Sequence, residues 1–446
     1  MSALFDDTPR ATHAAADLIG SLRHARPIAE RGRIVQAFGT TLRVSGLSAR
    51  IGQQCLITDG RGASLRAQVV GLSHGDALLV PLAGLNDVAI DAQVEIVSDS
   101  PLMPCGPTLL GRVLDAFGQP LDGRPLALDD CGLRPVHAGA PNPMSRLPVQ
   151  QVFATGVRAI DAALTIGEGQ RVGVFATAGG GKSTLMGMLA RQASSDVNVI
   201  ALVGERGREV REFIDESLGE QGLARSVVVV ATSDRPAMER LRAAQAATAI
   251  AEGFRAQGAR VLLLMDSVTR TARALREIGL AIGEPAVRRG FPPSVFAELP
   301  CLFERAGNDE RGSITAFYTV LAEDEDGSDP VAEEVRSILD GHIVLSRELA
   351  NSGHYPAIDL LASTSRVFGR ITEPAHRQAA TRLRSLMAKH REIRFLLQVG
   401  EYRSGADSLA DDAIDRWPAI EALLRQPPDE ATAFGDTLAR LKEVAG

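Results

Sequence analysis

The spacing of apolar residues changes character along the chain. Residues 1–31 are alanine-rich and polar, with Leu18, Ile19 and Leu22 as a small apolar face, which predicts a helical tail. From Arg33 to Val97 the apolar residues come in short runs: Ile34-Val35, Leu42 with Val44, Cys55-Leu56-Ile57, Leu65 to Val70, Leu78-Leu79-Val80 and Val94 to Val97. Asp59-Gly60, His74-Gly75-Asp76 and Asn86-Asp87 punctuate these runs as turns. So many short strands in so short a stretch predict a small closed β-barrel over 32–100, because closure removes exposed strand edges. No aromatic or basic stripe marks it as a ligand-binding barrel, so a scaffold or assembly collar is expected. Pro101 to Pro148, rich in Pro, Gly and Asp, reads as a linker onto the next domain.

From Gln150 to Arg370 apolar strands alternate with helices, the pattern of an α/β domain. The strand-like runs are Arg171–Phe175, Val197–Val203, Ser226–Ala231, Val261–Met265, Ile314–Leu321 and His342–Leu345. Met238, Leu241, Ala244, Ala251 and Phe254 follow a helical stripe, and Pro236 suits its first turn. Beyond Pro374 the periodicity is helical throughout, carried by Leu383, Leu386 and Met387, then Ile414 and Trp417, then Leu438, Leu441 and Val444. Trp417 is the sole tryptophan and is expected to pack within these helices. The expected domains are therefore 1–31, 32–100, 101–370 with its linker, and 371–446.

Composition narrows the class without changing this outline. The chain has 446 residues, 45% of them hydrophobic and 23% charged, as in a globular protein of several domains. No apolar run approaches the ~20 residues of a membrane span, and Met1 to Arg31 lacks the apolar segment of a secretory signal. A net charge of −7 with 4% aromatics argues against a bulk nucleic-acid binder. Cys55, Cys105, Cys131 and Cys301 show no CxxC spacing, which fits a reducing cytoplasm.

Candidate chemistry concentrates at strand ends. In Arg171–Arg191 a short apolar strand (Val172, Val174, Phe175) meets Gly179-Gly180-Gly181. Lys182-Ser183-Thr184 then opens a helix with Leu185, Met188 and Leu189 on one face. Strand, glycine turn and helix in that order make an anion site: backbone N–H groups face phosphates, Lys182 reaches the terminal ones and Ser183 is placed for Mg²⁺. Ala176 stands where the usual pattern has its first glycine. Glu205 follows the second strand and is suited either to aligning an attacking water or to capping a helix. Asp266 ends the strand Val261–Met265, suited to holding Mg²⁺ through water or to capping the next helix, and Arg270 lies one turn on. Tyr355 offers a stacking face or a half-buried core ring, and Arg366 is either a surface arginine or an arginine finger. The acidic run Glu323-Asp324-Glu325-Asp326 lacks the spacing of a calcium loop and reads as solvated.

These pieces, in this order, resemble the catalytic subunit of rotary ATP synthases. They are more similar still to the type III secretion ATPases and their flagellar export relatives. The marks are Gly-Glu-Arg-Gly-Arg-Glu-Val (204–210), Met-Asp-Ser-Val-Thr-Arg (265–270), Arg-Glu-Ile-Gly-Leu-Ala (276–281) and Phe-Pro-Pro-Ser-Val-Phe (291–296). Leu-Asp-Gly-His-Ile-Val-Leu-Ser-Arg (339–347) and His-Tyr-Pro-Ala-Ile-Asp (354–359) complete the set, and the similarity runs from about residue 30 to the end. Gly179 to Thr184 and Ala-Thr-Ser-Asp-Arg-Pro (231–236) look like the injectisome branch.

The resemblance implies a RecA-like P-loop NTPase core between a small N-terminal β-barrel and a C-terminal helical domain. It implies an ATPase acting as a homohexamer on the cytoplasmic face of the inner membrane, with ATP bound between subunits. Ala178, Gly179, Gly180, Gly181, Lys182, Ser183, Thr184 and Tyr355 would bind ATP, with Ser183 and Asp266 supporting Mg²⁺. Glu205, Lys182, Arg206 and Arg366 would be catalytic, Arg366 in the neighbouring subunit's site. Gly283 to Pro293 matches the loop that faces a central channel and stalk. Stator proteins and chaperone–effector complexes are the remaining implied partners, the latter at the C-terminal helices, and no nucleic acid is expected. Two departures stand out: Thr177-Ala178 replaces a pair of smaller residues, and Thr271 replaces an aromatic expected to pack beneath the site. Three other readings remain: flagellar duty, a non-catalytic nucleotide-binding ring subunit, which Glu205 disfavours, and an RNA translocase of the termination-factor type, which the acidic charge disfavours.

Overall fold

The computed structural model describes residues 30–59, 64–84, 88–128, 131–177, 179–321 and 329–446. The tail at 1–29, Ala178 and the acidic run 323–326 lie outside them. The chain divides into two compact units, one ending at Asp99 and the other comprising Leu82–Gly84 and Ser100–Gly446.

In the first unit β1 (Arg31–Phe38), β2 (Thr41–Ser45), β3 (Gln54–Thr58), β4 (Ser64–Ser73), β5 (Asp76–Pro81) and β6 (Gln93–Ser98) form a closed barrel in the order β1-β2-β5-β4-β3-β6. Alternate residues point inward: Ile34, Leu42, Val44, Cys55, Ile57, Val69, Leu79 and Val94 fill the interior. Bulges after Ile34 and Val69 bend the strands enough to close it.

The second unit is built on a nine-stranded sheet. Its strands are β7 (Arg112–Asp115), β8 (Arg171–Ala176), β9 (Val197–Val203), β10 (Ser226–Ala231), β11 (Arg260–Asp266), β12 (Gly307–Asn308), β13 (Ser313–Leu321), β14 (Gly341–Leu345) and β15 (Thr364–Ser365). The order is β15-β14-β8-β13-β11-β9-β10-β7, with β12 pairing β13. All pairs are parallel except those of β12 and β15. Covered on both faces, the central strands read as unbroken apolar runs. Val199, Ala201, Val203, Val261, Leu263 and Met265 enter one core cluster. Their neighbours Ile200, Leu202, Leu262 and Leu264 enter the other.

Helices α1 (Lys182–Gln192), α2 (Gly207–Glu212), α3 (Ala237–Ala256), α4 (Val268–Ala281) and α5 (Pro293–Phe303) follow the strands. Ala243, Ala244, Ala246, Ala247 and Ala251 let α3 lie close against the sheet. Three C-terminal helices, α6 (Pro374–Gln398), α7 (Ser408–Leu424) and α8 (Phe434–Ala445), share the second cluster through Leu383, Leu386, Ile420, Leu423, Leu441 and Val444. Trp417 packs there as expected, its ring stacked on His390 at 3.6 Å and 5°.

The linker expected over Pro101–Pro148 contains more structure than its composition suggests. β7 adds a parallel edge strand, and Leu102–Cys105 pairs with Gly132–Pro135. β7 carries its own charged ends, and Arg112 is tied to Asp122 at 2.7 Å. That hydrogen bond holds the Asp122 carboxyl well below the usual range.

A buried ion pair fastens this region to α3. Arg305 donates to both Glu252 oxygens at 2.9 and 2.7 Å and to the Val136 carbonyl at 2.8 Å. Removing one partner strands the other charge in the interior. Arg305→Leu should therefore cost about 3–5 kcal/mol in urea unfolding, whereas Arg305→Leu with Glu252→Leu should recover much of that loss. Equal losses in the single and double variants would contradict this.

Candidate active site

β8 ends at Ala176, a strand residue 1% exposed and paired with Leu321 and Leu345. A Cβ is accommodated there, which explains why the missing first glycine does not disturb the turn. The glycines that matter come next: Gly179 (φ 81°) and Gly181 (φ 82°) adopt the left-handed backbone. The Thr177 carbonyl accepts from Gly180 N–H at 3.2 Å, and Gly181 caps α1 with its carbonyl accepting from Leu185 at 3.0 Å. Thr177 is not in the left-handed region, so its side chain is tolerated, and its hydroxyl is buried without a protein partner. The first turn of α1 carries Lys182, Ser183 and Thr184 and no acidic residue, leaving its N–H groups and positive end for an anion. A Cβ on Gly181 would lie 3.5 Å from the Tyr355 ring. Tyr355 is 41% exposed, beside the glycine loop.

The strand order brings two acids to the same rim. Glu205 follows β9 and Asp266 ends β11, and both lie beside the start of α1 because parallel strands align their carboxyl ends. Lys182 Nζ donates to Asp266 Oδ1 at 2.6 Å and to Glu205 Oε1 at 3.4 Å. Both acids are buried, Glu205 at 7% and Asp266 at 4% exposure. Burial, reinforced by the nearby Asp266 charge, pushes the Glu205 carboxyl above the ordinary glutamate range against the pull of Lys182 and Arg270.

Further residues surround the cluster. Arg270 pairs with Glu205 Oε2 at 3.0 Å and donates to the Gly204 carbonyl. Gly204 is left-handed (φ 69°), and a Cβ on it would meet the Arg270 side chain at 2.8 Å. Thr319 of β13, which the sequence alone did not single out, donates its hydroxyl to Asp266 Oδ1 at 2.8 Å. Ser267 rather than Asp266 caps α4, its hydroxyl accepting from Arg270 N–H at 3.3 Å, so Asp266 is free of the capping role. Thr271 is fully buried and donates to the Ser267 carbonyl at 3.1 Å, so this departure leaves no unpaired hydroxyl beneath the site.

Two expected residues stand apart. Arg206 is exposed and pairs with Glu209 at 3.3 Å. Arg366 lies at the sheet edge after β15, also exposed, donating to the Arg336 carbonyl at 3.2 Å. Neither joins Lys182, Glu205 and Asp266 within one chain. The donor set fits a divalent cation held with phosphate oxygens: Ser183 and Asp266 supply hard oxygen ligands. Among the described residues no group of three or more His, Cys, Asp or Glu could cage a metal by itself.

Comparison with known proteins agrees with this geometry. Residues 156–365 match the ATP synthase alpha/beta family nucleotide-binding domain, and residues 372–443 match the T3SS EscN ATPase C-terminal domain. A type 3 secretion system ATPase of Xanthomonas euvesicatoria is 57% identical over 414 residues, 93% of each chain. A flagellum-specific ATP synthase of Bacillus subtilis is 48% identical over 419 residues, 93% of this chain and 95% of its own. The structure of the assembled ATPase EscN in complex with its central stalk EscO, from enteropathogenic E. coli, superposes with a TM-score of 0.86 at 44% identity, covering 93% of this chain and 100% of that one. The glycine loop, the two rim acids and these matches together show that the chain is an ATPase belonging to the type 3 secretion system ATPases of the ATP synthase alpha/beta family.

Proposed function

We propose that the chain hydrolyses MgATP at a site shared between copies in a homohexameric ring and that this cycle unloads and unfolds chaperone-bound cargo for type III secretion. The observation that carries the reading is Lys182, held on the rim between Glu205 and Asp266 beside the glycine loop. The backbone of Gly179, Gly180 and Gly181 and the first turn of α1 bind the phosphates, and the Tyr355 face receives the adenine. Ser183 and Asp266 hold Mg²⁺, which when bound neutralises phosphate charge. Glu205 aligns the attacking water for in-line displacement, while Lys182 and Arg366 stabilise the charge developing on the transferred group.

The position of Arg366, exposed at a sheet edge with its side chain donating to the Ser337 and Arg336 carbonyls, supports action on a neighbouring copy. Arg206 has a weaker case: its pairing with Glu209 suits it to orienting the segment after Glu205. The assembled, stalk-bound state of EscN supports a ring around a central stalk, with Gly283 to Pro293 facing it. No helix among the described residues is long and apolar enough to cross a membrane, which is compatible with a peripheral place at the cytoplasmic face of the inner membrane, served by stator proteins. The C-terminal helices are the proposed meeting point for chaperone–effector complexes. The injectisome reading is preferred to the flagellar one because the Xanthomonas relative is more similar than the Bacillus one.

Lys182→Ala should abolish ATP turnover with an unchanged circular dichroism spectrum; full turnover would overturn the assignment. Arg366→Ala should lower kcat by about 10³–10⁵-fold, the range for an arginine finger. Mixing that variant with Glu205→Gln should restore activity, because some interfaces then receive an intact Arg366 and an intact Glu205; no restoration would exclude a residue acting between copies. Glu205 must be ionised to align water, so activity falls as pH drops through its raised pKa. The acid limb of kcat/KM should lie above the ordinary glutamate pKa of about 4.3, and Glu205→Gln should lose that limb. The same limb in Glu205→Gln would assign it to another group.

A further inference from the structure

The segment 425–432 between α7 and α8 is fastened to the nucleotide-binding side of the sheet at several points. Gln426 is 2% exposed, and its backbone N–H donates to the Tyr355 carbonyl at 2.9 Å. Its side chain is fully engaged. Oε1 accepts from the Arg158 N–H at 2.8 Å, while Nε2 donates to the Gly156 carbonyl at 2.8 Å and to the Glu430 carbonyl at 2.5 Å. Just before it, Arg425 Nε donates to His354 Nδ1 at 3.3 Å. Further on, the Pro428 carbonyl accepts from Arg191 at 2.9 Å and from Gln192 at 2.8 Å, both on the last turn of α1. Arg158, 3% exposed, closes the arrangement by donating to the Leu423 and Arg425 carbonyls and pairing with Glu430.

We infer that Gln426 is a positioning residue for the nucleotide site: it fixes the Tyr355 main chain, and so the aromatic face, relative to the glycine loop. The Tyr355 ring lies beside Gly181, and its main-chain carbonyl accepts from Gln426 in the segment between α7 and α8. Because 425–432 joins α7 to α8, a shift of those helices is transmitted to the Tyr355 main chain. The C-terminal helices would thereby set nucleotide affinity. This rests on the reading of Tyr355 as the adenine face.

The test compares Gln426→Ala, Tyr355→Ala and the double variant in the assembled ATPase. The readouts are kcat, KM for ATP and the inhibition constant for tripolyphosphate, which has no base. Gln426→Ala keeps the backbone amide that reaches Tyr355 but removes the three side-chain bonds that hold that amide in place, so the displaced Tyr355 main chain should raise KM about tenfold with kcat nearly unchanged. Tripolyphosphate inhibition should stay as in the parent, and the double variant should be no worse than Tyr355→Ala because both act through one ring. If Tyr355→Ala leaves KM unchanged, the adenine reading fails. If Tyr355→Ala raises KM but Gln426→Ala does not, or if their effects multiply, the positioning role fails. A parallel weakening of tripolyphosphate inhibition would also overturn it, since that marks a general disturbance of the loop. Should Gln426→Ala not fold, Gln426→Glu keeps the acceptor for Arg158 but loses both side-chain donors, and the same outcomes decide.

Discussion

A single ammonium, Lys182 Nζ, holds two buried carboxylates within reach of one another, and the rim is arranged around that fact. Glu205 and Asp266 come from different strands, and side by side without a cation one of them would be driven to hold a proton. Lys182 lies between them because the glycine turn delivers the start of α1 to the same rim. Arg270 supplies a second positive charge beside Glu205. Thr319 donates to Asp266, and Arg270 grips the Gly204 carbonyl, so both acids are oriented as well as neutralised. In the proposed site a phosphate chain would compete for these same partners, which makes the cluster sensitive to what is bound beside it.

The architecture follows from burying both faces of a parallel sheet. Val-Leu-Leu-Leu-Met at 261–265 splits its side chains between two core clusters, and the first polar residue after the run, Asp266, falls at the strand's carboxyl end. The same logic puts Glu205 one residue beyond Gly204 and ends β8 at the glycine loop. Chemistry gathers at the rim because that is where the apolar runs stop. Arg366 stands apart from it at a sheet edge, so in a single chain the cluster lacks the cation proposed to complete it.

The central strands were legible in the sequence to within about a residue, since a strand covered on both faces has to be continuously apolar. The barrel was legible for the opposite reason, its short runs being separated by turn residues. β7 was not: Arg112 and Asp115 leave only Val113 and Leu114 as apolar signal, and the strand exists because Val227 to Val230 offer it a partner. Lys182, Glu205 and Asp266 were each visible as a strand-end residue, but their convergence depends on strand order, which local pattern does not encode. Thr319 and Gln426 were invisible, because a threonine in an apolar strand and a glutamine after a helix carry no local mark. Their importance comes from partners that are 53 and up to 270 residues away in sequence.

In the proposed mechanism Lys182, Glu205 and Asp266 form half of a hydrolytic centre that a neighbouring copy completes. The most direct measurement is ATP turnover per chain as the protein is diluted from assembled rings to monomers, with the assembly state followed by light scattering. Turnover per chain should fall with the assembled fraction and vanish in the monomer, while nucleotide binding by the monomer persists. Turnover per chain that stays constant through dissociation would contradict it.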